Sequence, residues 1–181
     1  FEEFLKALKI RSRERKVDDK IKTITCSMDE MSFAKDSFNI IWSEGAIYNI
    51  GFENGLNQWR EFLKIGGYIA VSEITWITNK RPEQIQSHWV NEYPEIKTAS
   101  EKIAIIEKLG FQFVGAITLP EYTWEEMYYM PMEARFKQFL TNYPGDESKR
   151  LIKNEMKEMK LYRKFKNYYS YVFYIMRKVE Q

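Results

Sequence analysis

Residues 36–50 read DSFNIIWSEGAIYNI. Asp36 and Ser37 form a polar turn, the apolar run Phe38–Trp42 follows, and Ser43, Glu44 and Gly45 end it. The run is continuous rather than alternating. That is the pattern of a parallel strand buried on both faces. In an open α/β sheet, ligands bind in the crevice outside the carboxyl ends of the strands. A small polar residue, an acid and a glycine at such an end therefore mark a candidate ligand-facing turn.

The flanking sequence supports this frame. Leu56, Trp59, Phe62 and Leu63 share one face of a helix predicted over about 51–63, with Gly66-Gly67 as its stop. YIAVSEI (68–74) reads as a strand. Residues 79–95 hold two prolines and one short helix. ASEKIAIIEKL (99–109) is a helix with Gly110 as its C-cap, and FQFVGAITL (111–119) is a strand. Residues 121–167 are aromatic and charged and predict an insertion of two or three helices. YYSYVFYIMRK (168–178) closes as a strand. Upstream, Phe1, Phe4, Leu5 and Leu8 repeat at helical spacing, and RSRERKVDDK (11–20) is a polar connection. The alternating, β-branched IKTITC (21–26) predicts a strand, and residues 27–36 a loop. Strands alternating with helices, then two strands around an insertion, imply an α/β fold. Its sheet is mostly parallel with a final antiparallel pair. No repeat or linker divides residues 1–181, which predicts a single domain.

Composition narrows the function classes. The 28 basic and 26 acidic residues nearly cancel, so no general nucleic-acid surface is expected. The basic residues of KRLIKNEMKEMKLYRKFK (149–166) alternate with acids and read as a solvated helix face. No apolar run reaches the ~20 residues of a membrane helix. The one cysteine, Cys26, excludes an internal disulfide framework and reads as a small buried hydrophobe. Together these predict a cytoplasmic protein with no membrane and no nucleic-acid partner, and no metal site, since no His/Cys cluster has ligand spacing.

Three stretches carry a family resemblance. ITCSMDEMSFAKDSFNIIWSEGAIYNI (24–50), WREFLKIGGYIAVSE (59–73) and EKLGFQFVGAITLP (107–120) resemble, in order, parts of a class I S-adenosylmethionine-dependent methyltransferase. They match its third strand, adenine-side loop and fourth strand, then its helix, Gly-Gly turn and fifth strand, then its last crossover helix and sixth strand. Residues 168–178 match its seventh. The WSEGAIYNIGFE version is similar to a branch of bacterial small-molecule methyltransferases. The resemblance implies a Rossmann-like sheet of order 3-2-1-4-5-7-6, here without the family's glycine-rich first strand and its second strand. Strand 3 would then lack a partner, and an N-terminal portion is expected to precede the sequence given.

It also implies roles. Ser27 and Met28 would meet the adenine of S-adenosylmethionine, Ser27 where most relatives carry Asp, and Met28 through its polarizable thioether. Ser43, Glu44 and Gly45 would line the sulfonium side, with Gly45 allowing close backbone approach. Glu44 carries three readings: a contact to a cationic or hydroxyl-bearing acceptor, a base, or a cap of the next turn. Tyr48 lies one turn on, and Glu73 ends the fifth strand on the same side. His88, the single histidine, is either a general base near neutral pH or a packing residue. Trp89, Tyr93, Tyr122 and Trp124 are either acceptor-pocket walls or core. Glu44, Tyr48 and His88 are the catalytic candidates, and the insertion 121–167 is expected to cover the acceptor.

The expected function is methyl transfer to an unidentified small molecule, chiefly by proximity and alignment, with a base only where the acceptor must lose a proton. A second expectation is a non-catalytic relic or interaction module on the same scaffold, completed by a partner chain. A nucleotide-binding oxidoreductase fits less well. The open sheet edge and aromatic surface leave a homodimer open.

Overall fold

The computed structural model describes residues 2–180. They divide into two compact units, residues 2–33 and 34–180. In the first, helix α1 (Glu2–Glu14) runs further than the opening apolar repeat, through Arg11–Glu14, and the 3-10 turn Asp18–Lys20 follows. Phe1, the first residue of that repeat, lies outside the described residues. The strand expected over Ile21–Cys26 is corrected: the segment is irregular, and no ladder pairs it among the described residues. β-branched alternation favours an extended chain, but only a partner supplies the ladder hydrogen bonds. Cys26 is exposed rather than buried, because this irregular segment gives it no core to enter.

The second unit is a sheet with helices on both faces. Its strands are β1 (Phe38–Ser43), β2 (Leu63–Trp76), β3 (Lys97–Thr98), β4 (Phe111–Thr118) and β5 (Tyr169–Lys178). The order is β1-β2-β5-β4, with the short β3 on the end of β2. β1 runs parallel to β2, and β5 runs antiparallel to both β2 and β4. The sheet is therefore parallel apart from β5. β1 is an edge strand of the described sheet with Ile40 and Trp42 exposed, not the strand buried on both faces that its continuous pattern suggests.

α2 (Phe52–Phe62) passes directly into β2 at Leu63, and Gly66-Gly67 falls within that strand rather than before it. Gly66 has φ +79°, and a Cβ on Gly67 would lie 2.9 Å from the backbone oxygens of Asn39 and Lys64. The pair is thus a kink in which the chains touch through their backbones.

Alternation along β2 sorts the two faces. Ile69, Val71, Glu73 and Thr75 share one face with Val172, Tyr174 and Met176 of β5. α2 and α4 (Ala99–Lys108) cover this side, and α4 opens with a reciprocal cap between Thr98 and Glu101. Ile74 and Trp76, with Tyr169, face the other way. There α3 (Glu83–Glu92) and the insertion form an aromatic core with Ile85, Ile96, Trp124, Tyr129, Met159, Tyr162 and Phe165.

The insertion comprises α5 (Glu121–Trp124), a π-helical turn (Glu125–Tyr129), α6 (Met130–Asn142) and α7 (Asp146–Phe165). Pro131 follows the wide turn and has no N–H to return to the preceding carbonyls. Arg163 of α7 donates three hydrogen bonds of 3.0–3.1 Å to the Glu125 carboxylate and so ties α7 to that turn. Among the described residues, no helix is long and apolar enough to cross a membrane.

Candidate functional site

The turn after β1 builds one wall of a cleft. Gly45 sits at φ +53°, a conformation in which glycine avoids the Cβ penalty, and its N–H donates to Ser72 Oγ at 2.8 Å. That bond fixes the strand end to β2. The 3-10 turn Ile47–Asn49 then sends Ile47 into the core, where it presses on Gly55 of α2. Its neighbour Tyr48 stays 44% exposed and faces the cleft.

The opposite walls come from α3 and the insertion. Ile85 anchors α3, and Trp89, one turn later, lies on the same side. Trp124 is buried between Tyr162, at 4.6 Å between ring centroids, and Tyr171, at 5.3 Å, both stacked on it. Its indole N–H donates to Ser170 Oγ at 3.1 Å. The wide turn separates two consecutive tyrosines: Tyr129 is buried and Tyr128 is 49% exposed. The result is a cleft of roughly 330 Å³ lined by Gly45, Tyr48, Trp89, Leu119, Thr123, Trp124, Tyr128, Glu158 and Tyr171. Glu158, on α7, is its single charged wall residue among the described residues. Its carboxylate accepts a hydrogen bond from Tyr129 Oη at 3.3 Å. Burial, reinforced by Glu155 and Glu92 nearby, pushes its carboxyl above the ordinary carboxylate range. Burial raises the Tyr171 hydroxyl too.

Of the residues singled out from sequence, the structure brings Gly45, Tyr48, Trp89 and Trp124 together here. Ser43 ends β1, half-buried, and Glu44 is exposed, its Oε1 accepting from Trp42 Nε1 at 2.5 Å. His88 is half-buried edge-on to Trp89, 5.3 Å between ring centroids, and burial holds its imidazole below the usual value. Tyr122 is exposed and does not line the cleft.

Glu73 and Tyr93 meet each other instead. The Tyr93 hydroxyl donates to Glu73 Oε1 at 2.5 Å, and Lys102 Nζ donates to the same oxygen at 3.1 Å. Both Glu73 and Lys102 are 0% exposed. Burial raises the Glu73 carboxyl and lowers the Lys102 ammonium, so desolvation outweighs attraction at both ends. Ser27 and Met28 lie in the first unit. Ser27 is exposed, with its hydroxyl donating to Asp29, and Met28 is half-buried.

The reading of the sequence passed over Thr123, Tyr128, Glu158 and Tyr171. A signal for Glu158 existed. Met159, Tyr162 and Phe165 are the buried residues of α7, and Glu158 precedes Met159 and lies four residues before Tyr162. That places it at the margin of the buried stripe, not on the outer face.

No sequence-family model matches this chain, and no significant match to a curated protein is found. Solved structures do match. An S-adenosylmethionine-dependent methyltransferase from Geobacter sulfurreducens, in complex with S-adenosylhomocysteine, superposes with TM-score 0.79 at 18% identity, covering 94% of this chain and 69% of that one. The sheet order β1-β2-β5-β4, with β5 alone antiparallel, is the 4-5-7-6 half of the sheet that the resemblance implied. The chain has the class I methyltransferase fold. A sarcosine dimethylglycine methyltransferase described as putative, from Galdieria sulphuraria, matches this fold with TM-score 0.71 at 13% identity, over 94% of this chain. A phosphoethanolamine N-methyltransferase from Haemonchus contortus matches with TM-score 0.66 at 17% identity, over 86% of this chain. The chain spans 64% and 36% of the length of these last two.

Proposed function

We propose that this chain serves the transfer of a methyl group from S-adenosylmethionine to a small-molecule acceptor. The observation that carries the reading is the aromatic cleft beside Gly45, at the carboxyl end of β1 and beneath the insertion. This is the end of an α/β sheet at which ligands bind.

The residues present fit the donor's reactive end. Beside Gly45 a Cβ would find only the Tyr171 hydroxyl, at 4.0 Å, so space remains where a ligand would approach the backbone. Ser43 and Gly45 would hold the sulfonium side through backbone groups, with Glu44 beside them. Bound there, S-adenosylmethionine supplies an electrophilic methyl group on sulfur. The chain's own task is alignment: Tyr48, Trp89 and Trp124 wall the acceptor, keep water away and restrict its approach to one line. Any proton lost by the acceptor needs a nearby base. His88, whose burial favours the neutral imidazole, is a candidate, as are Glu44 and Tyr48.

Titration calorimetry with S-adenosylhomocysteine tests this reading. Saturable one-site binding, weakened at least tenfold by Gly45→Val, is expected. Absence of any heat of binding refutes it.

A further inference from the structure

The cleft does not end at its own walls. Tyr128 lines it on one side and on the other lines a groove of roughly 440 Å³ between α6 and α7. That groove is apolar over Met132, Phe136, Phe139, Leu151 and Ile152. α7 runs along both compartments, presenting Glu158 to the cleft and Glu155, one turn earlier, to the groove. The two spaces thus share a half-exposed tyrosine and one helix.

Their chemistry differs in a directed way. Five aromatic side chains and the Glu158 carboxylate line the cleft, and among the described residues no cationic side chain does. Ring faces and a carboxylate in a partly dry site attract a cation. Glu92 and Glu155 act on Glu158 from α3 and α7 and deepen the negative field. Among the described residues the groove carries one cation, Arg135, with Glu155 also on its lining. Its remaining walls can gain only from apolar contact.

We propose that the acceptor is an amine carrying an apolar chain. The nitrogen enters as an ammonium against Glu158 and the rings, and the chain passes Tyr128 into the α6–α7 groove. Before transfer the ammonium gives one proton to the Glu158 carboxylate. The freed lone pair then forms the N–C bond while the C–S bonding pair goes to sulfur. The proposal rests on the cleft being the acceptor site.

The test is calorimetry of the full chain with n-butylamine, n-hexylamine and n-octylamine at pH 7, with n-octanol as the neutral control and no sulfonium compound present. Affinity is expected to rise about fourfold per added methylene along the amine series, with octanol much weaker than octylamine. Glu158→Gln should weaken octylamine tenfold or more and leave octanol unchanged. Leu151→Asp, at an exposed groove position, should flatten the chain-length series while butylamine binding persists. Far-ultraviolet circular dichroism confirms that both variants fold. A flat series in the parent, equal binding of amine and alcohol, or an unaffected Glu158→Gln variant overturns the proposal. Amine binding without S-adenosylhomocysteine binding would overturn the donor reading instead, and the reverse result would overturn only the amine inference.

Discussion

Replacing Lys102 by Met would strand the Glu73 carboxylate inside the second unit. In the parent, the two charges stand 3.1 Å apart and neither reaches solvent. At an effective dielectric constant near 20, that separation is worth about 5 kcal/mol of attraction. Against it stand several kcal/mol of desolvation for each ion. Glu73 keeps a further liability, because its second oxygen is buried with no hydrogen-bond partner. The Lys102 ammonium also sits 4.4 Å from the centre of the Phe52 ring, a contact a methionine would keep only as packing. The pair as a whole is therefore close to neutral for stability, whereas half of it is costly. Lys102→Met should lose about 3–5 kcal/mol at pH 8. With a urea slope of about 2 kcal/mol per M, the midpoint falls by about 2 M.

The pH dependence follows from the raised folded pKa of Glu73. The penalty for an ionised buried carboxylate is absent below the unfolded value and grows as pH rises through the folded one. Lys102→Met should then recover stability on going from pH 8 to pH 5. The double variant Glu73→Gln/Lys102→Met should unfold near the parent midpoint at both. Urea titration followed by tryptophan fluorescence measures all three proteins. A single variant with an unshifted midpoint, or a double variant as weak as the single, would refute this account of the pair.

Gly45 and Gly67 should respond differently to alanine. Gly45→Ala meets only the Tyr171 hydroxyl, at 4.0 Å, and pays for φ +53°, about 1 kcal/mol in thermal unfolding, while Gly67→Ala drives a Cβ against two backbone oxygens at 2.9 Å and costs about 1–3 kcal/mol. Thr98→Ala removes the cap of α4 and should cost about 1 kcal/mol by urea denaturation. Because burial and the facing acids Glu155 and Glu92 raise the Glu158 carboxyl, octylamine affinity should increase as pH rises from 5 to 8. Calorimetry at the two values checks the direction, and Glu158→Gln should remove most of the difference.

The parts of the fold that the sequence foretold are those decided within one segment. YIAVSEI and YYSYVFYIMRK carry runs that only a buried strand accommodates, and Gly110, at φ +76°, ends its helix through glycine's own torsional freedom. Ile21–Cys26 shows the opposite case. Its residues prefer an extended chain, yet strand formation depends on a second segment that periodicity within six residues cannot supply. β1 shows a related error, since Ile40 and Trp42 carry a buried pattern and remain exposed. The site divides in the same manner. Tyr48, Trp89 and Trp124 were legible as aromatics near strand ends or in loops. The Glu73–Lys102–Tyr93 cluster was not, because its members are separated by up to 29 residues and meet only when α3 and α4 dock. Glu158 lay hidden in a helix whose charges read as solvated, although the buried stripe beside it was one residue away.

The position of β5 bears on how this chain is made. It is the last of the described strands to leave the ribosome, yet it pairs with β2 on one side and β4 on the other. Until residue 178 has emerged, β2 and β4 have no strand between them, and the whole insertion has been synthesised with Tyr169 and Tyr171 still missing from beneath it. Such a nascent chain exposes unpaired strand edges and aromatic surface, the features that make partly folded chains associate. A ribosome stalled anywhere between residues 119 and 168 would therefore present a substrate for chaperones, and only the synthesis and emergence of β5 would join the two parts of the sheet and close the cleft.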